Sequence, residues 1–229
     1  MHNGGNNPMK FFKVITLSFL LLVTALNVYA SQPKDSVYLD GGSNKTGLIL
    51  AHGRGKNPTW KVVEPLRLGV HSQLGYHTLS LQMPNDDKYW ESYADDFPTA
   101  YRQFNEAVKF LKTKGTTKIY LMGHSMGSRM AAAYISKNPK SEINGLIIAG
   151  CRNNGDSPLS CSESLANVKI ATLDIWGGDN NKDVNAARER ENLKSANYTQ
   201  VEIEGANHKF DGEDEAFVTA VVKWLQAQK

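Results

Sequence analysis

Short apolar runs of strand length alternate along the chain with longer stretches whose apolar residues recur every three or four positions. Thr46–Ala51 (TGLILA), Thr117–Met122 and Ile143–Ala149 are nearly continuous apolar runs, the pattern of strands buried on both faces. Ser36–Asp40, Tyr76–Leu81, Val168–Trp176 and Thr199–Ile203 complete the predicted strands. Between them, Trp60–Leu74 carries Leu66, Val70 and Leu74 at helical spacing and is stopped by Gly75. Tyr93–Lys112 aligns Tyr101, Phe104, Val108 and Leu111 on one stripe. Its Asp95 and Asp96 suit the positive end of a helix, and Pro98 is tolerated in a first turn. Met126–Lys137 places Met126, Met130 and Tyr134 on one face and stops at Asn138-Pro139. A charged helix is expected over Asn185–Ala196 and a closing one over Glu213–Ala227, where Phe217, Val221 and Trp224 share a face. Strand alternating with helix throughout predicts an α/β domain with a mostly parallel central sheet and helices on both faces. No repeat, low-complexity tract or linker interrupts it, so residues 31–229 read as a single domain without a lid.

Residues 1–30 break this pattern. Lys10 and Lys13 precede the apolar stretch Val14–Leu26, and Val28-Tyr29-Ala30 offers small residues for cleavage before Ser31. That is the layout of a secretory signal peptide. The apolar stretch is short against the roughly 20 residues of a comfortable membrane span; an uncleaved N-terminal anchor is the alternative, and Met9 serves equally well as a start. The mature protein is expected to be periplasmic or secreted, with no stable membrane insertion. Its composition, 41% hydrophobic and 21% charged, suits a globular domain with a full core. The net charge of +3 rests on 26 basic and 23 acidic residues; without Lys10 and Lys13 it is near +1, which gives no reason to expect nucleic acid as a partner. Cys151 and Cys161 are the two cysteines. In an exported chain they are expected to form a disulfide, which closes the irregular loop from Arg152 to Ser160.

The strongest chemical signal is Lys118-Ile119-Tyr120-Leu121-Met122-Gly123-His124-Ser125-Met126-Gly127-Ser128. A strand runs into a sharp turn and a helix follows, with Ser125 at the turn. Gly123 and Gly127 lack the side chains that would collide there. The first N–H groups of the following helix have no partner within it and are suited to an anion. A serine hydroxyl needs a base within hydrogen-bond reach and a third group to orient that base. In open α/β sheets such groups lie on loops at the carboxyl ends of strands. His208, in Gly205-Ala206-Asn207-His208, is the best-placed base; His2, His52, His71, His77 and His124 are each worse placed. Asp179, after Gly177-Gly178, is the expected acid, with Asp183 and Asp174 as alternatives. The oxyanion of an acyl-transfer intermediate needs two donors. Met126 N–H is one, and the loop His52-Gly53-Arg54-Gly55 is expected to give the other from Arg54.

On these four segments the chain resembles the α/β-hydrolase superfamily, and most of all its small exported bacterial members without a cap. The resemblance implies an eight-strand-type sheet, Ser125 as nucleophile, His208 as base and an ester-type reaction on a small-molecule ester or acyl substrate. The chain departs from the family in two places. The family acid commonly follows its strand as Gly-x-x-Asp; counted from Gly177 that position is Asn180, one residue past Asp179. Only Ser36–Asp40 precedes the TGLILA strand, so an edge strand is expected to be missing. An idle hydrolase-fold binding or envelope-interaction protein is the alternative function. Trp60, Met83, Trp90, Tyr93 and Met126 are candidates either for an apolar acyl pocket or for the core. Arg54, Lys56 and Arg152 either favour an anionic substrate or are simply solvated. The sequence holds no metal-ligand cluster and no phosphate loop, so no cofactor is expected.

Overall fold

The computed structural model describes residues 1–2, 4, 30–85, 89–193 and 197–228. The signal expected over residues 1–30 therefore lies almost wholly outside the described residues. Seven strands form one sheet among them: β1 (Val37–Leu39), β2 (Thr46–Ala51), β3 (His77–Leu81), β4 (Lys118–His124), β5 (Gly145–Ala149), β6 (Ala171–Gly177) and β7 (Tyr198–Ile203). Their spatial order is β1-β3-β2-β4-β5-β6-β7. β1 is antiparallel to β3, and every other pairing is parallel. The sheet is one strand short of the family's eight, in line with the expected missing edge strand, and the three-residue β1 forms one edge.

The α-helices among the described residues are α1 (Val63–Leu74), α2 (Phe97–Thr113), α3 (Met126–Lys137), α4 (Cys161–Leu165), α5 (Asn181–Glu189) and α6 (Asp214–Ala227). Successive β2 side chains point to opposite faces, as strand geometry requires. Ile49 and Ala51 enter a core completed by Phe104 of α2 and Met130 of α3. Leu48 and Leu50 enter a second core with Leu66 of α1 and Val221 of α6. Burial on both faces explains why the strands read as unbroken apolar runs rather than alternating ones.

Three predicted helices have different bounds. The first starts at Val63, later than Trp60. The stretch expected to be helical from Tyr93 opens as a 3-10 turn over Glu91–Asp96, and α2 begins at Phe97 with Pro98 in its first turn. Proline lacks the N–H that a helix interior requires, so it sits where that donor is not needed. The charged helix begins at Asn181, not Asn185, because the Asn180 side chain caps it by accepting from the Asp183 N–H. That shift of one turn moves Asp183 from loop to helix.

The chain runs from β2 outward to β3 and then crosses back to β4 on the other side of β2. Loops leaving the carboxyl ends of β2 and β4 therefore diverge, and a crevice opens between them. Ala51, the last residue of β2, lies opposite Gly123 in β4. His52-Gly53-Arg54-Gly55 and Ser125 leave the sheet side by side at this point.

Candidate active site

Ser125 joins β4 to α3 with φ 54° and ψ −114°, a left-handed backbone that non-glycine residues rarely adopt and that concentrates at functional sites. Its N–H donates to the Ala149 carbonyl at 2.9 Å, and its own carbonyl accepts from Ser128 Oγ at 2.5 Å. The turn is tight enough that a Cβ on Gly127 would lie 2.4 Å from the Ala51 carbonyl oxygen. The glycine thus lets α3 close onto the end of β2. The Gly53 backbone likewise packs against the Ser125 side chain.

His208 reaches this turn from the loop between β7 and α6. Its Nδ1 lies 2.5 Å from Asp183 Oδ2 and its Nε2 lies 3.0 Å from Ser125 Oγ. A carboxylate only accepts, so Nδ1–H is the donor to Asp183, which leaves Nε2 free to accept the Ser125 hydroxyl proton. The carboxylate that meets the imidazole is Asp183. This corrects the expectation for Asp179, whose side chain is exposed while its N–H donates to the Ala206 carbonyl. Asp174 is also excluded, since it is buried inside β6 against Arg190. The cause is the earlier helix start. In the first turn of α5, the Asp183 carboxylate projects toward the β7–α6 loop. The signal was present in Asn180-Asn181-Lys182-Asp183, an N-cap followed three residues later by an acidic side chain, which marks a helix start.

Asp183 is fully buried, and its second oxygen accepts from Arg152 Nε at 2.8 Å. Burial alone raises its pKa, but the His208 hydrogen bond and the Arg152 charge outweigh it and hold the carboxyl below its ordinary value. Gly150, at φ 58°, leaves room for this contact: a Cβ there would stand 2.9 Å from the His208 ring and 3.2 Å from Asp183 Oδ2.

Two further histidines hold the loops. His124 Nε2–H donates to the His208 carbonyl at 2.9 Å. Complete burial, and then the nearby His208, push its pKa down to about 3, so it stays neutral. Buried His52 accepts the Met83 N–H on Nε2 and donates from Nδ1 to the Gly53 carbonyl. It pins the loop that carries Arg54, and burial lowers its pKa too.

Two cavities flank Ser125. The larger, about 540 Å³, is bordered by Arg54, Trp90, Met126, Arg129, Arg152 and Lys182. The smaller, about 280 Å³, is bordered by His208, Trp60, Lys56, Arg152 and Lys209. The apolar pocket considered from sequence is not assembled. Met83 and Tyr93 are core residues, and Trp90, Met126 and Trp60 stand among charged and amide side chains. Cys151 and Cys161 are joined as a disulfide with their Cα atoms 6.0 Å apart. The loop they close is tied to α3 by Arg129, which donates to the Asn154 and Leu159 carbonyls.

A family model described as "Protein of unknown function (DUF3530)" matches residues 99–227. No curated protein matches the chain. Among solved structures, dienelactone hydrolase from Anabaena variabilis is similar with a TM-score of 0.69 at 18% identity, over 84% of this chain and 90% of that one. Est1E from Butyrivibrio proteoclasticus with ferulic acid bound gives 0.68 at 15% identity, over 84% and 94%. A monoacylglycerol lipase from Paleococcus ferrophilus gives 0.63 at 16% identity, over 85% and 98%. At such identities the likeness is one of fold, and the fold is that of the α/β-hydrolases.

Proposed function

Starting from a chain that belongs to the family described as Protein of unknown function (DUF3530), we propose that it is a serine hydrolase of carboxylic esters working through an acyl-enzyme. The observation that carries this reading is the single imidazole between Ser125 Oγ and a buried carboxylate, at 3.0 and 2.5 Å. Ser125 Oγ attacks the ester carbonyl carbon while His208 Nε2 takes its proton. The oxyanion is held by the N–H groups of Met126 and Arg54. His208 returns the proton to the leaving alcohol as the C–O bond breaks. Water then attacks the acyl-enzyme, gives a proton to His208, and Ser125 recovers it as the acid departs. Asp183 keeps Nδ1 protonated and stabilises the imidazolium formed in each half.

The Asp183 carboxylate on the His208 imidazole supports this reading over that of an idle hydrolase-fold protein. As part of this reading, residues 31–229 form one domain without a cap, and residues 1–30 direct export. The Cys151–Cys161 disulfide is compatible with export, and no helix among the described residues is long and apolar enough to cross a membrane.

The test is to label the purified protein with a fluorophosphonate and to assay short p-nitrophenyl esters. The expected result is labelling at Ser125, with turnover falling by about 10³-fold or more in Ser125→Ala. Equal turnover by the mutant would end the proposal.

A further inference from the structure

The protein without residues 1–30 is close to charge-neutral, yet basic side chains gather around Ser125. Arg54, Arg129, Arg152 and Lys182 border the larger cavity, and Lys56 and Lys209 border the smaller. Glu189 is the one carboxylate among the described residues lining either cavity, and its Oε2 accepts from Asn153 Nδ2 at 2.7 Å. Clefts lined by one sign of charge concentrate ligands of the other.

Arg129 shows that this is more than a solvated rim. Three described arginines are buried: Arg67, Arg129 and Arg190. Arg67 is paired with Glu64 and Arg190 with Asp174. Arg129 is 5% exposed, but its hydrogen bonds go to neutral oxygens: the Asn154 and Leu159 carbonyls and Asn154 Oδ1. Asp183 attracts it without hydrogen-bonding to it, and the Trp90 ring lies 5.1 Å from its Cζ; a guanidinium buried with no carboxylate in direct contact is costly to the fold. Burial, followed by the nearby Arg152 and Arg190, pulls its pKa down to about 10. Of the three, this one alone borders the cavity next to Ser125.

Ser125 borders both cavities, and His208 borders the smaller one alone. His208 must give its proton to the leaving oxygen, so the cavity that it borders receives the alcohol. The larger cavity lies on the Met126 and Arg129 side of Ser125, which leaves it for the acyl part on the serine-hydrolase reading. Its walls are mostly cationic and amide side chains (Asn153, Asn154 and Asn185 among them) with only Trp90, Met126 and Ala186 as apolar side chains. That lining disfavours a long hydrocarbon chain. Building on the serine-hydrolase reading, we propose that the larger cavity accepts a short acyl group ending in a carboxylate, so that the preferred substrate is a hemiester of a dicarboxylic acid. Arg129 and Lys182 supply the charge that meets this carboxylate; Arg152 is already paired with Asp183.

The test compares mono-p-nitrophenyl glutarate with p-nitrophenyl pentanoate, which exchanges the terminal carboxylate for a methyl group. A second pair, 4-acetoxybenzoate and phenyl acetate, moves the carboxylate to the alcohol side. All rates are referred to alkaline hydrolysis of the same esters. The expected result is a preference for the glutarate ester of about tenfold or more in kcat/KM. It should weaken as salt rises from about 0.02 M to about 0.3 M, and the alcohol-side pair should show none of comparable size. Arg129 also clamps a loop, so replacing it reports on folding as well as binding. Lys182 is exposed on α5 and serves instead: Lys182→Glu should cut the preference several-fold. Lys223→Glu, which makes the same charge change on α6, should not. Equal or better turnover of the pentanoate ester overturns the inference. So does a preference confined to the alcohol-side carboxylate, or an equal effect of the two lysine variants. Calorimetric titration of glutarate into Ser125→Ala protein separates the two levels. Glutarate bound without any ester turnover or fluorophosphonate labelling would sink the catalytic reading and keep the cavity assignment. Labelling with turnover but no charge preference would do the reverse.

Discussion

Asp174 lies inside β6 and Asp183 in the first turn of α5, a short way along the same unit, and both carboxylates are fully buried. Asp174 is enclosed by lasting donors. Arg190 donates to it from Nε and Nη2, Tyr198 from its hydroxyl at 2.6 Å, and Gln200 from Nε2 at 3.2 Å. Burial works against the charge on Arg190, but Asp174 more than offsets it. Burial and Asp174 together hold the Tyr198 proton in place. Asp183 faces one lasting donor, Arg152, and one titratable group, His208, whose far nitrogen opens onto Ser125. The first carboxylate ends in a closed ion pair that fastens α5 to the sheet. The second passes its influence through an imidazole to the surface. Burial does not distinguish the two carboxylates; the donor opposite each does.

The largest effect that separates the two is on turnover. Asp183→Asn is expected to lower kcat on a p-nitrophenyl ester by about 10³- to 10⁴-fold, because an amide no longer holds Nδ1 as the protonated nitrogen. Steady-state kinetics on the folded mutant checks this, and unchanged kcat would break the contrast. Next comes stability. Asp174→Asn leaves Arg190 buried without its counter-charge and is expected to cost about 3–5 kcal/mol in urea unfolding. Turnover per folded molecule should hold within about a factor of two. A large loss of kcat at full stability would assign Asp174 to the chemistry instead.

Gly150→Ala should give an intermediate effect. The added methyl meets the His208 ring at 2.9 Å on a left-handed backbone. The expected outcome is a loss of about 10- to 100-fold in kcat with a stability cost of about 1–2 kcal/mol, read by kinetics and thermal unfolding together.

The pH dependence of stability sharpens the comparison from the histidine side. His124 is neutral in the fold down to about pH 3, whereas in the unfolded chain it takes up a proton near its ordinary value. Between those limits the unfolded state binds more protons, so stability falls as pH drops. His52 acts in the same direction. Unfolding free energy at pH 5 should lie about 1–3 kcal/mol below that at pH 7.5, and His124→Gln should flatten the slope. Across that window Asp183 stays ionised, so its own contribution is lost only at lower pH. The smallest effect belongs to Asp179→Asn, expected to change kcat by less than about twofold; a drop comparable with that of Asp183→Asn would restore Asp179 as the acid.

The sheet and the turn at Ser125 were legible because their causes are local. An apolar run such as TGLILA must be buried on both faces wherever it lies, and a serine between Gly123 and Gly127 after a strand has few backbone options. α3 appears at its expected bounds for the same reason. His208 was legible because it occupies a strand-exit loop that faces Ser125 in this chain order. The acid was not. The first turn of α5 has no apolar stripe to mark it, and an Asn cap set its start one turn early. Asp179, Asp183 and Asp174 lie so close in sequence that a single turn of helix decides which of them points at the imidazole. The charge of the larger cavity was legible only in part: Arg54 and Arg152 stood out as candidates for an anionic substrate, Arg129 and Lys182 did not. Arg129 reads as one more residue of a buried helix, and Arg152 as a loop cation. Only the docking of the disulfide loop onto α3, and of α5 beside it, brings them to one wall. The amino-acid sequence by itself determined what depends on neighbours along the chain: burial periodicity, strand and helix type, and the strained serine turn. The tertiary structure decided what depends on distance through space, because the partner of a buried charge is set by how elements pack and not by their separation in sequence.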